Sequence, residues 1–138
     1  MHRVLFVCQH NSGRSVMAEA FLNALGGDVA RAESAGLEPR PVNPLVAEVM
    51  AEEGIDVRGH QPRDVFELFR QGRLFSHVVT VCGAETDRLC PVFPGVAYRE
   101  NWPFPDPAEA VGDREEQLAQ VRAIRDRIKA RIREFLAR

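Results

Sequence analysis

The stretch that most restricts what this chain can fold into is CQHNSGRS, residues 8 to 15. It follows RVLFV without a break and leads directly into VMAEAFLNALGG. The run ending at Cys8 is apolar and rich in β-formers, so it reads as a buried strand. After it, Met17, Ala20, Phe21 and Ala24 recur at helical spacing before Gly26 and Gly27. A loop that enters a helix aims several backbone N–H groups at one point, and the helix dipole adds partial positive charge there. Arg14 brings a planar fork that matches two oxygens of a tetrahedral oxyanion. Gln9, His10, Asn11, Ser12, Gly13, Arg14 and Ser15 are therefore read as a cradle for one such anion. Gly13 is expected to supply a positive φ, and Asn11 to tie the loop together through its amide. The loop is no Walker sequence, because the leading glycine and the lysine are missing.

The rest of the chain repeats the alternation. A second strand is expected over Val29 to Ser34, followed by Asn43 as N-cap, Pro44 at the first helical position, and a Val46, Val49, Met50 stripe that stops at Gly54. RDVFELFRQG reads as a shorter amphipathic helix. SHVVTVC reads as a strand with Cys82 at its C-terminal end, and GVAYRE as a fourth. Asp113 and Glu116 form a capping pair for a long last helix carrying Leu118, Val121, Ile124, Ile128, Ile132 and Phe135. Strands alternating with helices imply an α/β fold, a parallel sheet covered on both faces, and ligands in such sheets bind beyond the carboxyl ends of the strands. The segment from 82 to 90 shows no helix or strand pattern and reads as a loop.

At 138 residues one domain, 1–138, accounts for the chain. With 45% hydrophobic and 28% charged residues and a formal charge of −2, it reads as an ordinary soluble protein. Arginine supplies every basic side chain except Lys129, but acids offset them along the whole length, so neither nucleic acid nor a membrane surface is an expected partner. No run approaches the roughly 18 apolar residues of a spanning helix, and no leader is read at the N-terminus. A cytoplasmic location follows as an expectation, and with it three cysteines that serve as reactive or inert thiols rather than as a disulfide framework.

A cysteine beside a helix N-terminus, an arginine and a hydroxyl such as that of Ser15 has a depressed pKa and is the nucleophilic thiolate. Cys8 is thus a nucleophile held at the mouth of the cradle. For a lone cysteine, burial as the last residue of a strand would be the better reading. The spacing of Cys8, Arg14 and Ser15 favours the nucleophile. WPFPDP places Asp106 on a proline-stiffened loop, where it is either a turn residue or a proton donor. Cys82 and Cys90 are further thiols for redox exchange, a zinc pair, or inert. The seven residues between them, with no histidine pair nearby, argue against zinc, and no metal is expected.

In order and over nearly the whole chain, VLFVCQHNSGRSVMAEA, SAGLEP, VNPLVAEVMAEEGIDV, VVTVC and FPDP resemble the low-molecular-weight tyrosine-phosphatase superfamily, and within it the arsenate reductases coupled to thioredoxin or a related dithiol system. The resemblance implies a three-layer α/β/α fold with a four-stranded parallel sheet, flavodoxin-like. It implies Asp106 as the general acid, and a relay in which Cys8 attacks arsenic, Cys82 attacks Cys8, and Cys90 attacks Cys82. It implies arsenate as substrate, no bound cofactor, and an external thiol reductant, thioredoxin or glutaredoxin with glutathione. A monomer is expected. The loop between Cys82 and Cys90 is one residue longer than in the family's pattern. Some relatives hold potassium beside the anion loop. Asn11, Glu19 and Ser34 match three of those ligands, but Arg63, next to Asp64, stands at the fourth, and a guanidinium there replaces the cation, so no potassium site is expected.

Two rival functions remain. A low-molecular-weight protein-tyrosine phosphatase usually places aromatic residues after its Asp-Pro pair, whereas here AEA follows Pro107. A non-catalytic oxyanion or redox sensor could use the thiols without turnover, but it leaves Asp106 without a task.

Overall fold

The strand before the loop spans His2–Cys8 (β1), and Val4 to Cys8 are all buried, because helices cover both of its faces. In the computed structural model, which describes residues 1–138, the elements that follow are α1 (Arg14–Leu25), β2 (Ala30–Gly36), α2 (Pro44–Ala51), α3 (Val65–Arg70), β3 (His77–Thr80), α4 (Ala84–Leu89), β4 (Tyr98–Asn101), a 3-10 turn (Pro107–Glu109) and α5 (Arg114–Leu136). The four strands are parallel in the order β2-β1-β3-β4. The chain winds from β1 to β2 on one side and then crosses to β3 on the other. The order therefore reverses beside β1, and the crevice of a doubly wound sheet opens at the carboxyl ends of β1 and β3.

Alternate residues of β1 serve two cores. Val4, Phe6 and Cys8 pack with Met17 and Phe21 of α1, Val46 and Met50 of α2, and Ile128 and Ile132 of α5. Leu5 and Val7 pack on the opposite face with Val65 and Leu68 of α3, Phe75, Val78 and Phe93. The α5 stripe is buried as expected, and the Asp113–Glu116 pair closes a reciprocal capping box at its start. Asn43 caps α2 by accepting from Leu45 N, with Pro44 at the first helical position. Asp64 caps α3 through Phe66 N and Glu67 N. No helix is long and apolar enough to cross a membrane.

Three expectations are corrected. β2 runs on to Gly36, because Gly36 pairs with Cys8 at the end of the ladder. β3 stops at Thr80, so Cys82 lies two residues past its end. Residues 84–89 form α4 instead of a loop. That helix has no apolar stripe to announce it. It carries Glu85 and Asp87 in its first turn and Arg88 in its last, which suits the helix dipole, and side chains from β3 and β4 hold it in place.

Candidate active site

The loop's carbonyls are drawn outward by the segment after β2. Leu37 N donates to Cys8 O (3.2 Å), Glu38 N to Gln9 O (2.8 Å), Arg40 N to His10 O (2.9 Å) and Asn43 N to Ser12 O (2.9 Å). With the carbonyls committed, the N–H groups are left for the interior. Asn11 N donates to Cys8 Sγ at 3.1 Å, and Gln9 N to Cys82 Sγ at 3.3 Å. Gly36 makes this layering possible, since a Cβ there would lie 2.7 Å from Asn11 N and 2.8 Å from His10 C. SAGLEP thus carries a steric requirement of the loop.

The left-handed residue of the loop is Asn11 (φ 51), while Gly13, expected in that role, has φ −147. Gly13 is needed for closeness instead: its Cβ would stand 3.3 Å from Pro107. Asn11 is fully buried, and its amide makes four hydrogen bonds that outweigh the backbone cost. Its Nδ2 donates to Ser15 Oγ and Ser34 Oγ, both at 2.9 Å, and its Oδ1 accepts from Arg63 N (2.9 Å) and pairs with His60 Nε2 (3.0 Å). Behind Asn11 lies Glu19, in contact with Ser34 Oγ (3.1 Å), Arg63 Nη1 (3.0 Å) and His60 Nδ1 (3.5 Å). Arg63 Nη1 also reaches Ser34 O at 3.4 Å. Burial works to raise the Glu19 pKa, but the hydrogen bond and charge of His60 and the charge of Arg63 outweigh it, and the carboxyl is held below its ordinary value. His60 is a member of this network that sequence reasoning missed. It belongs to no motif, and only the turn after α2 brings it to Asn11.

Cys8 Sγ lies 2.8 Å from Ser15 Oγ, and the Cys82 thiol is placed to donate a hydrogen bond to it. That contact is the strongest influence on Cys8. With Ser15 and Asn11 it overcomes the opposing effect of burial and brings the thiol from its ordinary 9.0 down to about 5. The same contact and burial push Cys82 upward, so the pair is a Cys8 thiolate held by a protonated Cys82. Burial raises Cys90 to about 11, against the pull of Arg99. Cys90 packs in the other core, beside Leu5, Val7 and Phe93, and does not join the pair.

The sulfur does not stand at an open mouth as expected. Cys8 is only 3% exposed, enclosed by Cys82, Asn11 and Ser15. Arg14 is turned toward the acid loop, with Nη1 donating to Phe104 O (3.0 Å) and Nη2 3.6 Å from Asp106 Oδ2. Asp106 also accepts from Ala108 N at 2.9 Å, so it is both a turn cap and a member of the site. It borders a cleft of about 360 Å³ that includes Glu109, Gln120 and Arg127. His10 is half-buried on the loop's outer side, its Nδ1 3.1 Å from Glu38 O. The larger cavity of about 740 Å³, between Pro41, Ala47 and His60, does not include Cys8. The structure thus brings Cys8, Cys82, Ser15, Arg14 and Asp106 together and leaves Cys90 outside. Chemically, such a group is a nucleophilic thiolate with a second thiol in contact, an anion-binding arginine and a carboxyl group alongside.

The chain is similar to known proteins over nearly its whole length. The family model described as low molecular weight phosphotyrosine protein phosphatase matches residues 3–138. The arsenate reductase of Bacillus subtilis strain 168 is 39% identical over 134 residues, covering 96% of this chain and 93% of that protein. A solved arsenate reductase in its phosphate-binding state superposes with a TM-score of 0.82 at 31% identity, over 99% of this chain and 98% of its own. The thioredoxin-dependent arsenate reductase of Corynebacterium glutamicum gives 0.73 at 30% identity, over 98% of this chain and 60% of its own. With a match across the whole sheet, the anion loop and the acid loop, the chain belongs to the low molecular weight phosphotyrosine protein phosphatase family.

Proposed function

We propose that the chain, acting as one domain, reduces arsenate to arsenite. The observation that carries this reading is the second sulfur at the anion loop: Cys82 Sγ accepts from Gln9 N, the residue next to Cys8, at 3.3 Å and is buried in the same core as Cys8. A hydrolase needs only the first sulfur. A reductase needs a second thiol where the first has reacted. Dihydrogen arsenate enters the cradle and draws Arg14 off Asp106 and onto two of its oxygens. Cys8 attacks arsenic, an As–O bond breaks, and Asp106 protonates the departing hydroxide to water. Once the Cys8 sulfur is bonded to arsenic its negative charge is gone, and the influence that kept Cys82 protonated goes with it. Cys82 then attacks Cys8 Sγ, the S–As bond breaks with its electron pair passing to arsenic, and arsenite leaves. The two sulfurs have supplied the two electrons and remain as a disulfide.

Cys90 attacks Cys82 in turn and frees the Cys8 thiolate, and an external dithiol protein of the thioredoxin type reduces the 82–90 disulfide. Leu89 and Val92, exposed on either side of Cys90, give such a partner an apolar footing. The enzyme is read as a cytoplasmic monomer with no bound cofactor. Arsenate added to the protein with a thioredoxin system should drive NADPH oxidation and arsenite release. Cys8→Ser should abolish both, and trapped single turnovers should give disulfides 8–82 in Cys90→Ser and 82–90 in wild type. Hydrolysis of aryl phosphate without arsenate-dependent NADPH oxidation would overturn the reading in favour of a phosphatase.

A further inference from the structure

The proposed relay sets a geometric problem. Cys82 faces the core beneath α1 and α5, whereas Cys90 is buried in the opposite core with Leu5, Val7 and Phe93. Between them α4 is six residues long. At a helical rise, that length alone spans about 9 Å. A disulfide requires Cα atoms within about 4.4–6.8 Å. Cys90 therefore cannot meet Cys82 while α4 is wound.

Side chains from the neighbouring strands hold α4 wound. Arg99 of β4 lies across its C-terminal end, where Nη2 donates to Asp87 O at 2.6 Å and to Cys90 O at 3.5 Å, and Nη1 to Pro91 O at 3.2 Å. Its guanidinium also pairs with the Asp87 carboxylate at 3.6 Å. Asp87 Oδ1 in turn accepts from Thr80 Oγ1 at 2.7 Å. Asn101 donates to that same hydroxyl (2.8 Å) and to Cys82 O (3.0 Å), anchoring the other end. A helix this short has few hydrogen bonds of its own, so its wound state depends on these external ones.

We propose that Arg99, acting with Asp87, is the latch of the relay: a positioning residue that keeps Cys90 away from Cys82 until Cys8 and Cys82 have formed their disulfide. The inference rests on the relay proposed above. Its consequence is directional. The latch slows the 82–90 exchange and has no part in the arsenic step, so it keeps an external oxidant from joining the two outer thiols without substrate turnover. In the exchange itself Cys90 Sγ bonds to Cys82 Sγ, the 8–82 bond breaks, and Cys8 leaves as thiolate with no net change in oxidation.

The test uses the full chain with Cys8→Ser as parent and an azodicarboxamide as oxidant. That reagent removes one hydrogen from each of Cys82 and Cys90, joining the sulfurs while its own N=N bond becomes a hydrazine. Arg99→Ala in this background should form the 82–90 disulfide about tenfold faster, the change expected from losing hydrogen bonds to a charged donor at a partly exposed site. Hydrogen exchange at the Asp87 and Cys90 amides should accelerate by the same factor, with β3 amides unchanged, which a general loss of stability would not produce. Arg99→Lys should restore part of the protection, and Asp87→Asn should loosen it independently if Arg99→Ala folds poorly. With Cys8 present, arsenate should form the 8–82 disulfide in Arg99→Ala at the wild-type rate. Equal 82–90 rates with and without Arg99, in folded proteins, would overturn the latch. Because the oxidant replaces arsenate, that result leaves arsenate reduction standing, and a chain inert toward arsenate would still reveal the latch.

Discussion

Replacing Asn11 separates the strain of the anion loop from the hydrogen bonds that hold it. Asn11 has φ 51, is fully buried and makes four side-chain hydrogen bonds. Asn11→Gly keeps the backbone conformation at no steric cost but removes the amide. Arg63 N then loses its acceptor, and the Ser15 and Ser34 hydroxyls lose their donor. Each buried group left unpaired costs about 1–3 kcal/mol, and since water can refill part of the gap a total near 3 kcal/mol is expected. Asn11→Ala adds the left-handed penalty of about 1 kcal/mol for a residue with a Cβ. Urea unfolding of the three proteins reads both quantities, provided the slopes agree. The pH midpoint of iodoacetamide alkylation at Cys8 should move upward in the same variants, because Ser15 is no longer turned toward the sulfur. Equal stabilities for the glycine and alanine variants would refute the strain. A loss below about 1 kcal/mol in Asn11→Gly would refute the claim that the amide holds the loop.

Other parts of the site give sharper single answers. Gly36→Ala places a Cβ against the backbone of Asn11 and His10, contacts that cannot be relieved by a rotamer change. Stability should fall by about 1–3 kcal/mol in a thermal melt, with loss of anion binding. Arg14→Lys exchanges a fork for a point charge and should weaken arsenate or phosphate affinity about tenfold in calorimetry, while unchanged affinity would contradict the cradle. The depressed Cys8 pKa also predicts how stability depends on pH. A thiol lowered on folding from 9.0 to about 5 contributes stability that is fully present above 9, declines as pH falls, and is gone below about 5. The stability difference between wild type and Cys8→Ser should therefore widen from pH 5 to pH 9, and a constant gap would count against a thiolate in the folded protein.

The parallel sheet, the capped α2 and α5 and the Cys8 to Ser15 loop were legible in the sequence because each rests on local chemistry: an N-cap, a periodic stripe, a strand run into a phosphate-type loop. Asp106 and Arg14 were legible as parts of one site only through the family resemblance, since nothing local ties residue 14 to residue 106. Three features depend on tertiary contact and left no mark. His60 joins the Asn11 network because the 55–63 turn folds back. α4 forms through Arg99, Thr80 and Asn101, which reach it from other strands. Asn11 takes the left-handed conformation in place of Gly13 because its amide has four partners to satisfy, a number that is visible only once β2 and residues 60–63 are packed beside it.

Cys8 is held as a thiolate chiefly by the thiol of Cys82. Measuring thiolate absorbance and alkylation rate at Cys8 against pH, in wild type and in Cys82→Ala, tests this directly. A midpoint of about 5 in wild type that moves upward in Cys82→Ala is the expected result. A wild-type midpoint at the value of a free thiol, or one that does not respond to losing Cys82, would contradict it.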